Sequence, residues 1–129
     1  MPYIGIDIGG TTIKAGCVTT NGVLLESLQI KTEVTDFTAL LDTLLSTIKR
    51  LSKESRISGV GIGIPGLLSE NGMIKASPNV PCLINQNLEV ALKEHLEFPT
   101  VGRNDADMHA WGEYKVGAAK DLTHLAFLT

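Results

Sequence analysis

Residues 3–31 of the chain read YIGIDIGGTTIKAGCVTTNGVLLESLQIK, and this opening stretch decides the fold. Short apolar runs with β-branched residues predict strands at Tyr3–Ile8, Ile13–Thr19 and Val23–Ile30. The glycines and threonines at 9–12 form the first turn, and Asn21-Gly22 favours the positive backbone angles of a tight hairpin. The opening therefore predicts three antiparallel strands.

Beyond the opening, helical and extended patterns alternate along the chain. Apolar residues at helical spacing after the capping residue Asp36 give the clearest helix. The predicted elements are a helix from Asp36 to Leu51, a strand at Val60–Ile64, a loop at Leu67–Gln86 with a short strand at Met73-Ile74, a helix at Asn87–Glu97, a strand at Thr100–Arg103, a helix at Asn104–Val116 and a strand at Thr123–Thr129. Three antiparallel strands followed by parallel strands with crossover helices are typical of the α/β ribonuclease-H-like, or actin-like ATPase, fold.

Length and composition point to one globular domain with a small-molecule partner. The 129 residues are too few for two ordinary domains, and a 43% apolar share provides a core. The net charge of −3 and the scattered Lys and Arg residues argue against binding to nucleic acid or an anionic membrane. Cys17 and Cys82 lack metal-ligand spacing, and the amino terminus lacks an export signal, so we expect a cytoplasmic protein. The apolar ending Leu125–Thr129 predicts a chain cut from a longer protein.

The first candidate site is the turn between the first two strands, which can hold phosphate. Glycine N–H groups and threonine hydroxyls donate to phosphate oxygens, a lysine adds charge, and an aspartate can hold Mg²⁺ directly or through water. These residues are Asp7, Gly9, Gly10, Thr11, Thr12 and Lys14. A glycine-containing β-hairpin that binds nothing explains the spacing equally well. A P-loop is excluded because Gly-Lys-Ser/Thr is missing, and the Gly-x-Gly-x-x-Gly match at 61–66 lies in a strand with no helix behind it.

Two further candidate sites lie later in the chain. Asn104-Asp105 stands where a strand passes into a helix, at the edge of the sheet where α/β proteins bind ligands. Helix capping is the alternative for these two residues. Gly66 and the segment Ser77-Pro78-Asn79 border the long loop and can bond a polyhydroxylated ligand, although turns of the chain also explain them.

Taken together, these segments resemble the ROK family of sugar kinases and repressors along nearly the whole chain. Residues 7–16 are similar to its first phosphate motif, and 59–66 to its Gly-x-Gly-x-Pro-Gly strand end. Residues 77–79 are similar to its Pro-Asn sugar loop, and 104–113 to its Asn-Asp-Ala-Asn catalytic segment. Four motifs in the family's order make the resemblance far more specific than any single motif.

The resemblance implies a glucokinase-like, ATP-dependent kinase acting on a hexose or amino sugar. It makes Asp105 the general base that takes the proton of the attacking hydroxyl. It assigns sugar orientation to Gly66, Asn79 and Asn104 and the Mg²⁺ side of the cleft to Asp7. It also implies a homodimer as the full-length protein.

Some features depart from the family pattern or lie outside the chain. Asp107 stands where the family usually has Asn, Arg103 where it has an acidic or small residue, and Val80-Pro81-Cys82 replaces the usual Gly-Trp. These differences bear on which sugar is used more than on the reaction. The second phosphate loop, the adenosine loop and the zinc motif of the family would follow Thr129, so residues 1–129 are expected to form an amino-terminal lobe that is inactive alone.

Two other functions compete with a kinase. A sugar-sensing repressor of the same family would use the same cleft without a base, and would carry a DNA-binding motif ahead of a first strand that begins here at Tyr3. An actin-type chaperone or filament protein would lack the sugar loop and Asn104-Asp105. Both Asp105 and the early first strand favour the kinase.

Overall fold

A computed structural model of the chain describes residues 1–53 and 56–105. No helix in these two stretches combines the length and apolar character needed to cross a membrane. The elements in chain order are β1 Tyr3–Ile8, β2 Thr12–Val18, β3 Leu24–Lys31, α1 Phe37–Leu51, β4 Gly59–Ile64, β5 Leu67–Leu68, β6 Ile74–Ala76, a 3₁₀ helix Pro81–Leu83, α2 Leu88–Lys93 and β7 Thr100–Asn104.

Within residues 1–53 and 56–105, the main sheet has five strands in the order β3-β2-β1-β4-β7. The opening strands β1, β2 and β3 pair antiparallel, whereas β4 runs parallel to β1 and β7 runs parallel to β4. The remaining strands, β5 and β6, form a separate two-stranded hairpin. The predicted α/β arrangement of antiparallel strands followed by parallel strands is therefore confirmed.

The two faces of the main sheet differ because side chains alternate along each strand. One face is lined with Ile and Val from β1 and β4 and packs against the helices. Helix α1 places Leu40, Leu44 and Ile48 in this core, and the Asp36 side chain caps the helix by accepting a bond from Ala39 N–H. The other face carries glycines, and their lack of side chains allows a ligand or another segment of the protein to approach the sheet backbone closely.

Three predicted elements differ from the observed ones. Helix α2 ends at Lys93 and not at Glu97, and Leu96 and Phe98 pack against the core from the irregular segment that follows. Asn104 is the last residue of β7, so the predicted helix begins at Asp105. The long loop contains the β5–β6 hairpin and a 3₁₀ helix. The rest of the predicted helix to Val116 and the strand at 123–129 lie outside the described residues.

Candidate functional site

Asp7 lies near the end of β1, between a cation and a glycine. Its register partners are Lys14 on β2 and Gly63 on β4, so all three residues share the glycine-bearing face of the sheet. The Asp7 side chain is half-buried and Lys14 is exposed. The three residues line an open cavity of about 470 Å³ on this face. An acidic and a basic group therefore stand side by side where a phosphate and its metal ion could be held.

Asp105 meets Asp7 at Gly63. A Cβ atom on Gly63 would lie 3.4 Å from Asp7 Oδ1, 3.4 Å from Asp105 Cα and 3.6 Å from Asp105 Cβ. The two acidic residues thus flank one point on the sheet, although 98 positions separate them in the sequence. This convergence is what the two motifs need if they serve one cleft.

The turn at 9–12 is held rigid by its own backbone and by Thr32. Gly9 N–H donates to Thr12 O at 3.0 Å, which closes the turn. The buried Thr32 donates its hydroxyl to Gly9 O at 2.8 Å and its N–H to Thr11 O at 2.9 Å. Gly10 and Thr11 are exposed at the tip of the turn. Thr32 was not singled out from the sequence, because a contact across 23 residues leaves no local pattern.

The turn also touches the loop that carries Asn79. A Cβ atom on Gly10 would lie 2.9 Å from Asn79 Cβ, so only glycine lets the two segments approach this closely. Asn79 itself is exposed. The predicted phosphate turn and the predicted sugar loop are therefore neighbours.

Gly66 joins the end of β4 to both the long loop and β7. Its φ of +138° and a Cβ position only 2.0 Å from Ala76 O exclude any side chain there. The buried hydroxyl of Ser77 donates to Pro65 O at 2.6 Å, and Asn104 Nδ2 donates to Gly66 O. Gly66 and Asn104, predicted from separate motifs, are thus in direct contact.

A second cavity of about 730 Å³ opens beside this contact. Polar groups dominate its lining, which includes Gly66, Ser69, Glu70, Arg103 and Asn104. This cavity is separate from the one beside Asp7. The two are related through a strand pair: Gly63 on β4 lines the cavity beside Asp7, and its register partner Arg103 on β7 lines the second cavity. A polar cleft of this size suits a small polyhydroxylated ligand.

The carboxylate of Asp7 near Gly63 suits Mg²⁺, which takes few ligands from the protein, better than a metal ion whose ligands all come from protein side chains. Among residues 1–53 and 56–105, no group of three or more His, Cys, Asp or Glu side chains could hold a metal ion. Mg²⁺ commonly uses one or two carboxylates together with water and substrate phosphates. Asp7 and the space left by the missing Gly63 side chain meet that requirement.

Comparison with known proteins gives a consistent set of relatives. The sequence model of the ROK family matches residues 3–129. A glucokinase of Streptomyces coelicolor is 32% identical over 127 residues, covering 98% of this chain and 39% of the relative. An N-acetylmannosamine kinase of Escherichia fergusonii is 28% identical over 131 residues, covering all of this chain and 44% of the relative.

A solved structure resembles the fold closely. It is a ROK family glucokinase from Streptomyces griseus in complex with glucose and AMPPNP, with a TM-score of 0.85 and 30% identity. The match covers 94% of this chain and 38% of that structure, so the chain spans about two fifths of the relatives it matches. The expected actin-like ATPase fold is thereby confirmed. Since the family match runs along the chain from residue 3 to its end, the chain belongs to the ROK family.

Proposed function

We propose that the full-length protein containing this chain transfers the γ-phosphate of ATP to a hydroxyl group of a hexose or amino sugar. The observation that carries the proposal is the approach of Asp7 and Asp105 to one point at Gly63. Phosphoryl transfer needs a metal-side carboxylate and a base within reach of the same phosphoryl group. The glucokinase and N-acetylmannosamine kinase relatives support the choice of substrate class.

Each predicted site residue has a role in this proposal. Asp105 takes the proton of the attacking sugar hydroxyl, while Gly66, Asn79 and Asn104 orient the sugar. The turn of Gly9, Gly10, Thr11 and Thr12 binds phosphate oxygens: the exposed Gly10 and Thr11 supply N–H and hydroxyl donors, Thr12 adds its hydroxyl, and Gly9, whose N–H closes the turn, holds its shape. Lys14 adds positive charge beside Asp7. All of these groups come from the ends of adjacent strands or from loops that touch each other.

Mg²⁺ would be held by Asp7, directly or through water, and would neutralise charge on the phosphate groups when bound. A homodimeric state and a cytoplasmic location complete the proposal. Because the relatives are more than twice as long as this chain, the remaining nucleotide contacts are assigned to sequence beyond Thr129. We accordingly expect no turnover from residues 1–129 alone.

The test is a sugar screen with the full-length protein. Glucose, fructose, mannose, N-acetylmannosamine and N-acetylglucosamine are incubated with ATP, with and without Mg²⁺, and sugar phosphate is measured. We expect one or more of these sugars to be phosphorylated only when Mg²⁺ is present. No phosphorylation of any sugar would contradict the proposal.

Two variants separate catalysis from sensing. Asp105→Asn should lower kcat by about 100-fold or more while sugar binding, measured by calorimetry, stays close to wild type. Asp42→Asn, at an exposed position of α1, is the matched control and should keep full activity. If the wild-type protein binds sugar but phosphorylates none, the sugar-sensing repressor is favoured. If Asp105→Asn keeps wild-type turnover, Asp105 is not the base.

A further inference from the structure

Glu89, on the first turn of α2, binds the outer edge of β7. Glu89 Oε2 accepts a hydrogen bond from Gly102 N–H at 2.9 Å and lies 3.6 Å from Arg103 Nη1. Its other oxygen, Oε1, pairs with Lys93 Nζ at 2.9 Å. The Glu89 side chain is only 23% exposed, so these contacts are partly shielded from water.

The contact compensates for the position of β7 in the sheet. In the described part of the chain β7 is an edge strand that pairs only with β4, so its outward N–H groups have no partner strand. Glu89 supplies an acceptor for one of them, at Gly102. Arg103 Nη1 donates to Gly102 O at 2.8 Å, so both backbone groups of Gly102 are engaged.

The strand that Glu89 holds ends at the candidate site. Asn104 and Asp105 follow Gly102 by two and three residues, and Asn104 is fixed on its other side by its bond to Gly66 O. A Cβ atom on Gly102 would lie 2.9 Å from Ile64 Cδ1, so glycine leaves room there for the Ile64 side chain, while Glu89 Cβ would be at an ordinary contact distance of 3.6 Å. Glu89, Gly102 and Asn104 also line the same cavity.

We propose that Glu89 is a positioning residue that holds the end of β7 and thereby fixes Asn104 and Asp105 in the cleft. Its catalytic consequence rests on the proposed kinase function. A carboxylate that accepts a backbone N–H and faces a cation on the same strand limits displacement of the strand end. Small displacements of reacting groups cause large losses of rate.

The test compares Glu89→Ala, Glu89→Gln and the control Glu94→Ala in the full-length protein. Glu94 is an exposed acid just after the same helix. For Glu89→Ala we expect kcat to fall about tenfold or more and the sugar KM to rise, with the ATP KM within about twofold of wild type. Glu89→Gln keeps an oxygen that can accept from Gly102 N–H, so it should recover most of the lost activity. Glu94→Ala should behave as wild type.

Amide hydrogen exchange over residues 100–105 gives a second readout that needs no activity. The Gly102 amide should exchange at least about tenfold faster in Glu89→Ala and should stay protected in Glu89→Gln and Glu94→Ala. Wild-type protection of Gly102 in Glu89→Ala would overturn the proposal. A fall in kcat with both KM values unchanged and no recovery in Glu89→Gln would also overturn the proposal. A smaller fraction of folded protein is enough to explain that result. If the wild type phosphorylates no sugar, the kinase proposal fails and the exchange measurement alone decides the role of Glu89.

Discussion

At the scale of single residues, two glycines on one strand end serve different purposes. Gly66 is required by the backbone, since its φ of +138° and its distance to Ala76 O leave no place for a side chain. At Gly63 an added Cβ atom would make only ordinary contacts, at 3.4 Å from both Asp7 Oδ1 and Asp105 Cα. Because Gly63 has no side chain, the space beside these two acidic residues stays empty. One glycine therefore maintains the fold, and the other keeps the space between two acidic residues open.

Replacing Gly66 should destabilise the protein strongly. In Gly66→Ala the added Cβ would lie 2.0 Å from Ala76 O, and the positive φ adds strain. We expect the free energy of unfolding to fall by about 3 kcal/mol or more. Urea denaturation of wild type and variant measures the change. A variant as stable as wild type would show that the loop can move aside.

Replacing Gly63 should affect activity and leave stability nearly unchanged. The Cβ of Gly63→Ala would make contacts of 3.4 Å, which are tolerable, but it would occupy the space between Asp7 and Asp105. We expect unfolding within about 1 kcal/mol of wild type and a fall in kcat of about tenfold or more. Asp42→Asn, at an exposed position of α1 outside this cavity, is the control. Equal activity of both variants would remove Gly63 from the site.

At the scale of elements, single polar side chains fix the loops and strand ends of the site. Thr32, which follows β3, bonds both sides of the turn between β1 and β2. Ser77 ties the loop that contains Asn79 to the end of β4, and Glu89 ties α2 to β7. Each bond joins elements that are distant in sequence, so the geometry of the site depends on the packed sheet.

Removing the Thr32 hydroxyl should loosen the turn at 9–12, which is proposed to bind phosphate. Thr32→Val keeps the shape of the side chain but leaves Gly9 O without its bond of 2.8 Å. We expect a loss of about 1 kcal/mol in unfolding free energy and an ATP KM several-fold higher, with the sugar KM unchanged. Steady-state kinetics beside the exposed-site control Thr38→Val measure this. An unchanged ATP KM would mean that the turn does not bind nucleotide.

The Glu89 contact should make stability depend on pH in acid. Burial raises the pKa of Glu89, but the Gly102 N–H bond, the Lys93 ammonium and the Arg103 charge outweigh it and leave the pKa below its ordinary value of 4.5. The stabilisation by the ionised group is therefore complete above pH 4.5 and is lost as pH falls through the lower folded-state pKa. The stability advantage of wild type over Glu89→Gln should be constant from about pH 7 to about pH 5 and shrink below that range. An advantage that persists undiminished in acid would mean that the ionised carboxylate is not its source.

At the scale of the whole molecule, the sequence was sufficient for the sheet, and several residues predicted from separate motifs lie close together in the structure, while their roles stay predictions. The opening strands, α1 and β4 follow from alternation, helical periodicity and turn residues. The predicted length of α2 was wrong, because the spacing of Leu96 from the earlier apolar residues suits a helix as well as the irregular segment observed. The roles of Thr32 and Glu89 could not be predicted, since their partners are set by packing of distant segments.

The central claim is that the turn after β1 and the acid after β7 serve the two ends of one phosphoryl transfer. A crystal structure of the full-length protein with its sugar, Mg²⁺ and a non-hydrolysable ATP analogue tests it most directly. We expect an Asp105 carboxylate oxygen about 2.6–3.2 Å from the hydroxyl that accepts phosphate, with the terminal phosphate between that hydroxyl and the metal near Asp7. A sugar bound away from Asp105, or phosphates bound away from the 9–12 turn, would contradict the claim.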